Sequence, residues 1–236
     1  MHLVPALAKT LCQALVLMML VNPTISAQVT IARTGNTVVI RNEQVSFSYD
    51  LSTGKYQASD RRDSSLCLED GWFQIGEHAS TLPGMEQRCT ERTVSDALGR
   101  GRALVIQCQK AGLPDLILEV ALYEDRGIIV FAGGIKNSTD QPLRLKQIRP
   151  MAGARLFPGL DMTENFRLLD GNGGGEPLEW GVKKYTAVHP GNFIFSRNNL
   201  LMTFGTHDTR RSLVMGGLTY HDFEKFAQVK QVRRLE

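Results

Sequence analysis

Apolar residues in this chain recur at every second position, in short runs broken by Gly, Pro, Asn and Asp. Leu116, Leu118, Val120 and Leu122 share one face of such a run. A Glu124-Asp125-Arg126-Gly127 turn follows, then Ile128 to Lys136, an Asn-Ser-Thr-Asp-Gln-Pro loop, and a third run marked by Leu143, Leu145 and Ile148. This spacing predicts a β-meander over residues 115–150. Val45, Phe47 and Tyr49 alternate with Ser46 and Ser48, as a half-buried strand requires. Leu51-Ser-Thr-Gly54 then turns the chain, with Gly54 free to take a positive φ.

The same reading predicts earlier strands over Gln28–Arg33, Thr37–Arg41, Lys55–Ser59, Trp72–Glu77, Arg88–Ser95 and Arg102–Gln109. Later ones are expected over Phe166–Leu169, Lys183–Val188, Asn192–Phe195, Leu200–Phe204, Ser212–Leu218 and Phe226–Arg233. A 3.6-residue apolar period is sustained nowhere; Tyr220 to Lys225 offers one helical turn at most. Closely spaced strands of this kind predict an all-β fold of two packed antiparallel sheets. Leu156 to Trp180 departs from the pattern. It is loop-rich around Asp170-Gly-Asn-Gly-Gly-Gly-Glu176, and a long loop at an edge or mouth of the sandwich is expected there.

The first 27 residues stand apart. Lys9 is their only Lys, Arg, Asp or Glu, Leu11 to Val21 is almost wholly apolar, and Ile25-Ser26-Ala27 ends in a small residue. That is the layout of a secretory signal peptide, cleaved before Gln28; an uncleaved anchor is the alternative. The apolar stretch falls short of the roughly 20 residues of a comfortable membrane span. The expected product is periplasmic or extracellular, with no membrane attachment after cleavage and a single β-sandwich domain over residues 28–236. Its length suits one large all-β domain or two small ones. The alternation still runs in Phe226-Ala-Gln-Val-Lys-Gln-Val-Arg-Arg-Leu-Glu236, so a domain of a longer protein is expected.

The net charge of +3 is spread along the chain. Arg61-Arg62, Arg210-Arg211 and Arg233-Arg234 are isolated pairs suited to solvated surface, which gives no footprint for nucleic acid. Cys67, Cys89 and Cys108 lie beyond the leader and fit no zinc spacing. If the hairpin joining Arg88–Ser95 to Arg102–Gln109 turns on Leu98 and Gly99, Cys89 falls opposite Cys108. A Cys89–Cys108 disulfide is therefore expected, with Cys67 left as a thiol.

Three segments resemble the N-terminal β-supersandwich domain of α-galactosidase-like glycoside hydrolases of the melibiase and raffinose-synthase type. They are Val45-Ser-Phe-Ser-Tyr-Asp-Leu-Ser-Thr-Gly-Lys-Tyr56; Leu122-Tyr-Glu-Asp-Arg-Gly-Ile-Ile-Val130 continuing to Lys136-Asn-Ser-Thr-Asp-Gln-Pro-Leu143; and Ser212-Leu-Val-Met-Gly-Gly-Leu218. The resemblance implies a galactose-mutarotase-like two-sheet supersandwich, a non-catalytic partner of a sugar-hydrolysing barrel. In such enzymes the nucleophilic aspartate lies in the barrel, at a Lys-Trp-Asp type strand end. Neither Trp72 nor Trp180 has that setting, so no catalytic residue carries over.

Most acidic residues fall at turns, and a retaining glycosidase needs two carboxylates about 5 Å apart. The candidate sugar contact is Trp180 with Glu179, Asp170 and Asn172: an indole face stacks on a sugar ring while carboxylate and amide groups hold its hydroxyls. Trp72, beside Phe73 and Ile75, reads as core. The glycine run lacks the ending of a phosphate loop, and its calcium-loop match stops early because Gly181 stands where a Glu should close it. No metal or cofactor is expected. His189, His207 or His221 with Glu179 would be the proton-transfer groups of a mutarotase-like epimerase. Three functions stay open: an accessory sandwich beside a catalytic barrel, a free-standing carbohydrate-binding module, and that epimerase.

Overall fold

The computed structural model describes residues 28–171, 183–188, 193–196, 199–218 and 226–230. Eighteen strands and no helix occur among them. In chain order they are β1 (Thr30–Thr34), β2 (Thr37–Arg41), β3 (Val45–Asp50), β4 (Lys55–Asp60), β5 (Leu66–Ile75), β6 (His78–Ala79), β7 (Glu86–Asp96), β8 (Gly99–Gln109) and β9 (Asp115–Tyr123). Then come β10 (Ile129–Lys136), β11 (Ile148–Ala152), β12 (Arg155–Leu156), β13 (Arg167–Asp170), β14 (Lys183–Tyr185), β15 (Phe193–Ser196), β16 (Leu200–Phe204), β17 (Arg211–Met215) and β18 (Ala227–Lys230). Every pairing is antiparallel. The fold is an all-β sandwich. The expected helical turn at Tyr220 to Lys225 lies outside the described residues.

The chain parts into two compact units, one ending at Pro158 and the other starting at Gly159. In the first, the order β1-β2-β3-β4-β5-β11, with β6 and β12 also on β5, makes one sheet, and β10-β9-β8-β7 makes the other. One apolar core joins them. Ile40, Phe47, Tyr49, Tyr56, Phe73 and Ile75 come from the larger sheet, and Leu104, Ile106, Leu116, Leu118, Val120 and Leu122 from the smaller. The alternation of Val45 to Tyr49 places Phe47 and Tyr49 inward, fully buried. Phe47, Tyr56 and Phe131 meet as a ring cluster with centroids 5.3–5.7 Å apart.

Polar side chains tie the layers where apolar contact cannot. Tyr49 Oη donates to Gln87 Oε1 at 2.6 Å, and Gln87 Nε2 donates to the Ser80 carbonyl at 2.9 Å. Ser80 Oγ donates to the Gly54 carbonyl at 2.6 Å. Asn42 Nδ2 reaches the carbonyls of Tyr123 and Arg126, at 2.6 and 2.8 Å. Each such buried group is costly unless bonded, so the set fixes how the sheets meet.

Three expectations are corrected. The 115–150 run is not one meander. β9 pairs with β10, but β11 crosses to pair with β5 in the other sheet. The reason lies at Gly133, where an added Cβ would come 2.4 Å from Ile148 Cγ2 and 3.0 Å from the Phe73 ring: its lack of a side chain leaves room for the crossing strand. Trp72 is not core. It alternates with buried Gly71 and Phe73, so it sits half-buried on the outer side of β5, against Gly153.

The Cys89–Cys108 bridge is the third. Leu98 N–H donates to Asp96 Oδ1 at 2.8 Å, which makes Ala97 and Leu98 the corner and pairs Asp96 with Gly99. Cys89 then faces Ile106, and Cys108 faces Gln87. Moving the corner by one residue keeps both thiols on one face but makes them diagonal neighbours, about 7–8 Å apart and beyond bridging range. All three cysteines are free.

In the second unit β14-β13-β16-β17 forms a four-stranded sheet and β15-β18 a ribbon. Leu168, Leu200 and Met202 are its best-buried apolar side chains.

Candidate functional site

Of the expected sugar-contact residues, Asp170 alone is described; Asn172, Glu179 and Trp180 lie outside the described residues. Asp170 ends β13, 3 % exposed, opposite Lys183 on β14 and Leu200 on β16. Gly171 N–H donates to the Asn199 carbonyl at 2.8 Å, which anchors the exit from the strand. Since Asp170 and Lys183 are cross-strand partners, both ends of the stretch carrying Asn172, Glu179 and Trp180 are held together on one sheet. Alternation explains the burial: Leu168 and Asp170 point one way along β13, Arg167 and Leu169 the other.

His78 lies in β6 of the first unit, while His207 is exposed in the second with Nδ1 3.0 Å from Asp208 Oδ1. His189 and His221 lie outside the described residues. Among the described residues no group of three His, Cys, Asp or Glu side chains could hold a metal.

Two clefts are lined mostly by residues that motif reading passed over, His207 being the exception. The first, about 640 Å³, lies beside Glu86, Gln109, Lys110, Asp115 and Ser138 in the first unit. Asp115 Oδ2 accepts from Gln107 Nε2 at 2.9 Å and Gln109 Nε2 at 2.8 Å, and Oδ1 accepts from Ser138 Oγ at 3.0 Å. Burial alone would raise its pKa; the hydrogen bonds from Gln109, Ser138 and Gln107 outweigh that and hold it below the ordinary carboxylate value. Asp115 is thus a satisfied anion that joins β8, β9 and the loop after β10.

The second cleft, about 360 Å³, is lined by Asn165, Arg167, Thr203, Gly205, His207 and Arg210 in the second unit. In the sequence Arg210 reads as one half of a solvated pair, and Arg167 falls within the expected Phe166–Leu169 strand. Sequence spacing gives no sign that they line one cleft, because β13 and the chain after β16 are brought side by side only by the sheet pairing of β13 with β16.

Several surface charges elsewhere are paired. Arg92 grips Glu119 at 2.5 and 2.8 Å, Arg155 reaches both Glu69 and Asp70 at 2.6 and 2.8 Å, and Arg102 pairs with Glu91. Asp70 is held below the usual carboxylate range by the Lys55 hydrogen bond, with Arg155 adding to it. Asp60 is lowered chiefly by Arg62, and Asp50 by the Ser52 hydroxyl.

Fold and surface together define an antiparallel β-sandwich protein with polar clefts at its sheet margins. Comparison with protein-family models, with curated proteins and with solved structures gave no match.

Proposed function

We propose that the chain is a secreted, non-catalytic accessory β-sandwich of a glycoside-hydrolase-like protein, contributing a sugar contact from the β13–β14 hairpin. The observation that carries this reading is the Asp170↔Lys183 pairing, which joins in one sheet the strands that precede and follow the Trp180 stretch in sequence. A rigid sheet presenting one variable connection is a common way to build a binding surface. The non-catalytic part is supported by the carboxylates. A glycosidase's general acid needs a raised pKa. Among the described carboxylates, those with a shifted pKa, Asp50, Asp60, Asp70, Asp115 and Asp161, are all lowered. The catalytic barrel as partner rests on the three resembling segments.

Titration of the Trp72→Phe protein with galactose, glucose and their α-oligosaccharides reads Trp180 fluorescence alone. Saturable change that disappears in Trp180→Ala, with no nitrophenol released from aryl α- and β-glycosides, is the expected result. Binding untouched by Trp180→Ala, or turnover abolished by a single carboxylate substitution, overturns the reading.

A further inference from the structure

Arg167 and Arg210 both line the smaller cleft, and among the described residues neither guanidinium pairs with a carboxylate. Elsewhere Arg62, Arg92, Arg100, Arg102 and Arg155 each meet an acid. Arg167 makes one bond, from Nη1 to the Phe166 carbonyl at 2.7 Å, which orients the fork and leaves its other donors open. Among the described residues, the only carboxylate bonded to a lining residue is Asp208, which faces His207. Two cations line one concave site, and none of its described lining residues is an acid, so the site favours an anion.

The backbone is shaped to hold this opening. Gly205 N–H donates to the Glu164 carbonyl at 2.8 Å, and Asn165 Nδ2 donates to the Gly205 carbonyl at 3.4 Å. Asn165 itself has φ +49°, a left-handed conformation that Asn tolerates better than most residues and that recurs at ligand sites. Gly205, at φ +90°, has no room for a side chain: a Cβ would lie 2.7 Å from the Thr209 carbonyl oxygen.

We infer that this cleft binds an anionic saccharide, whose carboxylate or sulfate group sits between Arg167 and Arg210. Guanidinium forks bind planar carboxylates and sulfate-like oxyanions in bidentate fashion. Asn165, Thr203 and His207 supply the mixed donors and acceptors that ring hydroxyls need. The inference rests on the carbohydrate reading above in taking the ligand to be a sugar, but it uses a different site.

Calorimetric titration of the full chain with digalacturonate, galactose 6-sulfate, galactose and sodium sulfate tests it. At least one charged sugar is expected to bind about tenfold tighter than galactose or sodium sulfate, and which one does so identifies the anionic group. Arg167→Gln and Arg210→Gln should each weaken that binding by about tenfold or more, with unchanged thermal midpoints. Arg33→Gln, which removes the same charge far along the chain on β1, should leave it unaltered. Equal binding by the cleft variants, equal loss in Arg33→Gln, or sodium sulfate binding as tightly as the sugars overturns the inference. Galactose binding that depends on Trp180, with no preference for charged sugars, sinks this inference and leaves the proposed function standing. Absence of all sugar binding sinks both.

Discussion

Gly54 occupies a point where no side chain fits. Its φ is +72°, and an added Cβ would lie 2.1 Å from the Ser80 carbonyl oxygen, inside the bonding network that joins the sheets. Gly54→Ala should therefore cost about 3 kcal/mol, measured by chemical denaturation, from strain and displaced backbone together. A cost below that of an ordinary surface change would refute the close approach. At the cysteines, burial pushes the Cys89 and Cys108 thiols up to about 11, with Glu91 adding at Cys89 and Tyr49 opposing at Cys108. Thiolate is the reactive form, so alkylation of the folded protein near neutral pH should be slow, with fully buried Cys108 slowest. Denatured, unreduced protein should yield three alkylatable thiols from these positions. A Cys89–Cys108 peptide in non-reducing mapping would contradict the register seen here.

At the scale of elements, Asp115 shows how one carboxylate holds a strand junction. Its folded pKa lies below the unfolded value of about 3.9, so its contribution is fully present above that value and fades as pH falls through the folded one. Asp50, Asp60 and Asp70 are shifted in the same direction and add to the acid sensitivity. Thermal midpoints should hold steady from neutral pH down to about pH 4 and then drop. Asp115→Asn should lower stability by about 1–3 kcal/mol at neutral pH, because a neutral amide replaces the anion that accepts from Gln107, Gln109 and Ser138. The variant's midpoint should also fall less steeply below pH 4, having one depressed carboxyl fewer. A variant with the wild-type acid slope would show that Asp115 is not held as an anion.

For the whole molecule, the large core is confined to the first unit, running from Val29 to Leu122 with Leu156 packed against it. A fragment of residues 28–158 should then fold alone and melt in one cooperative transition. A broad, non-cooperative melt would mean that its core depends on the second unit. Such independence would let variants in the second unit, Arg167→Gln and Arg210→Gln among them, be read without disturbing the larger sandwich.

Strand positions were legible in the chain because side-chain alternation is a local property. Thr37–Arg41, Val45–Asp50 and Leu200–Phe204 have the bounds that their apolar spacing predicts, and Gly54 turns with the positive φ expected of it. Partner choice was not legible. β11 leaves its neighbours in sequence for β5, and the bare Gly133 leaves room for Ile148 beside the Phe73 ring, a condition set by residues far apart in the chain. The cysteine register turned on one side-chain acceptor, Asp96, whose bond to Leu98 N–H moved the hairpin corner by one residue. The Arg167–Arg210 cleft was invisible for the same reason. Periodicity tells which way a side chain points from its own strand, whereas a site depends on which strands lie side by side, and only the tertiary packing of the sheets decides that.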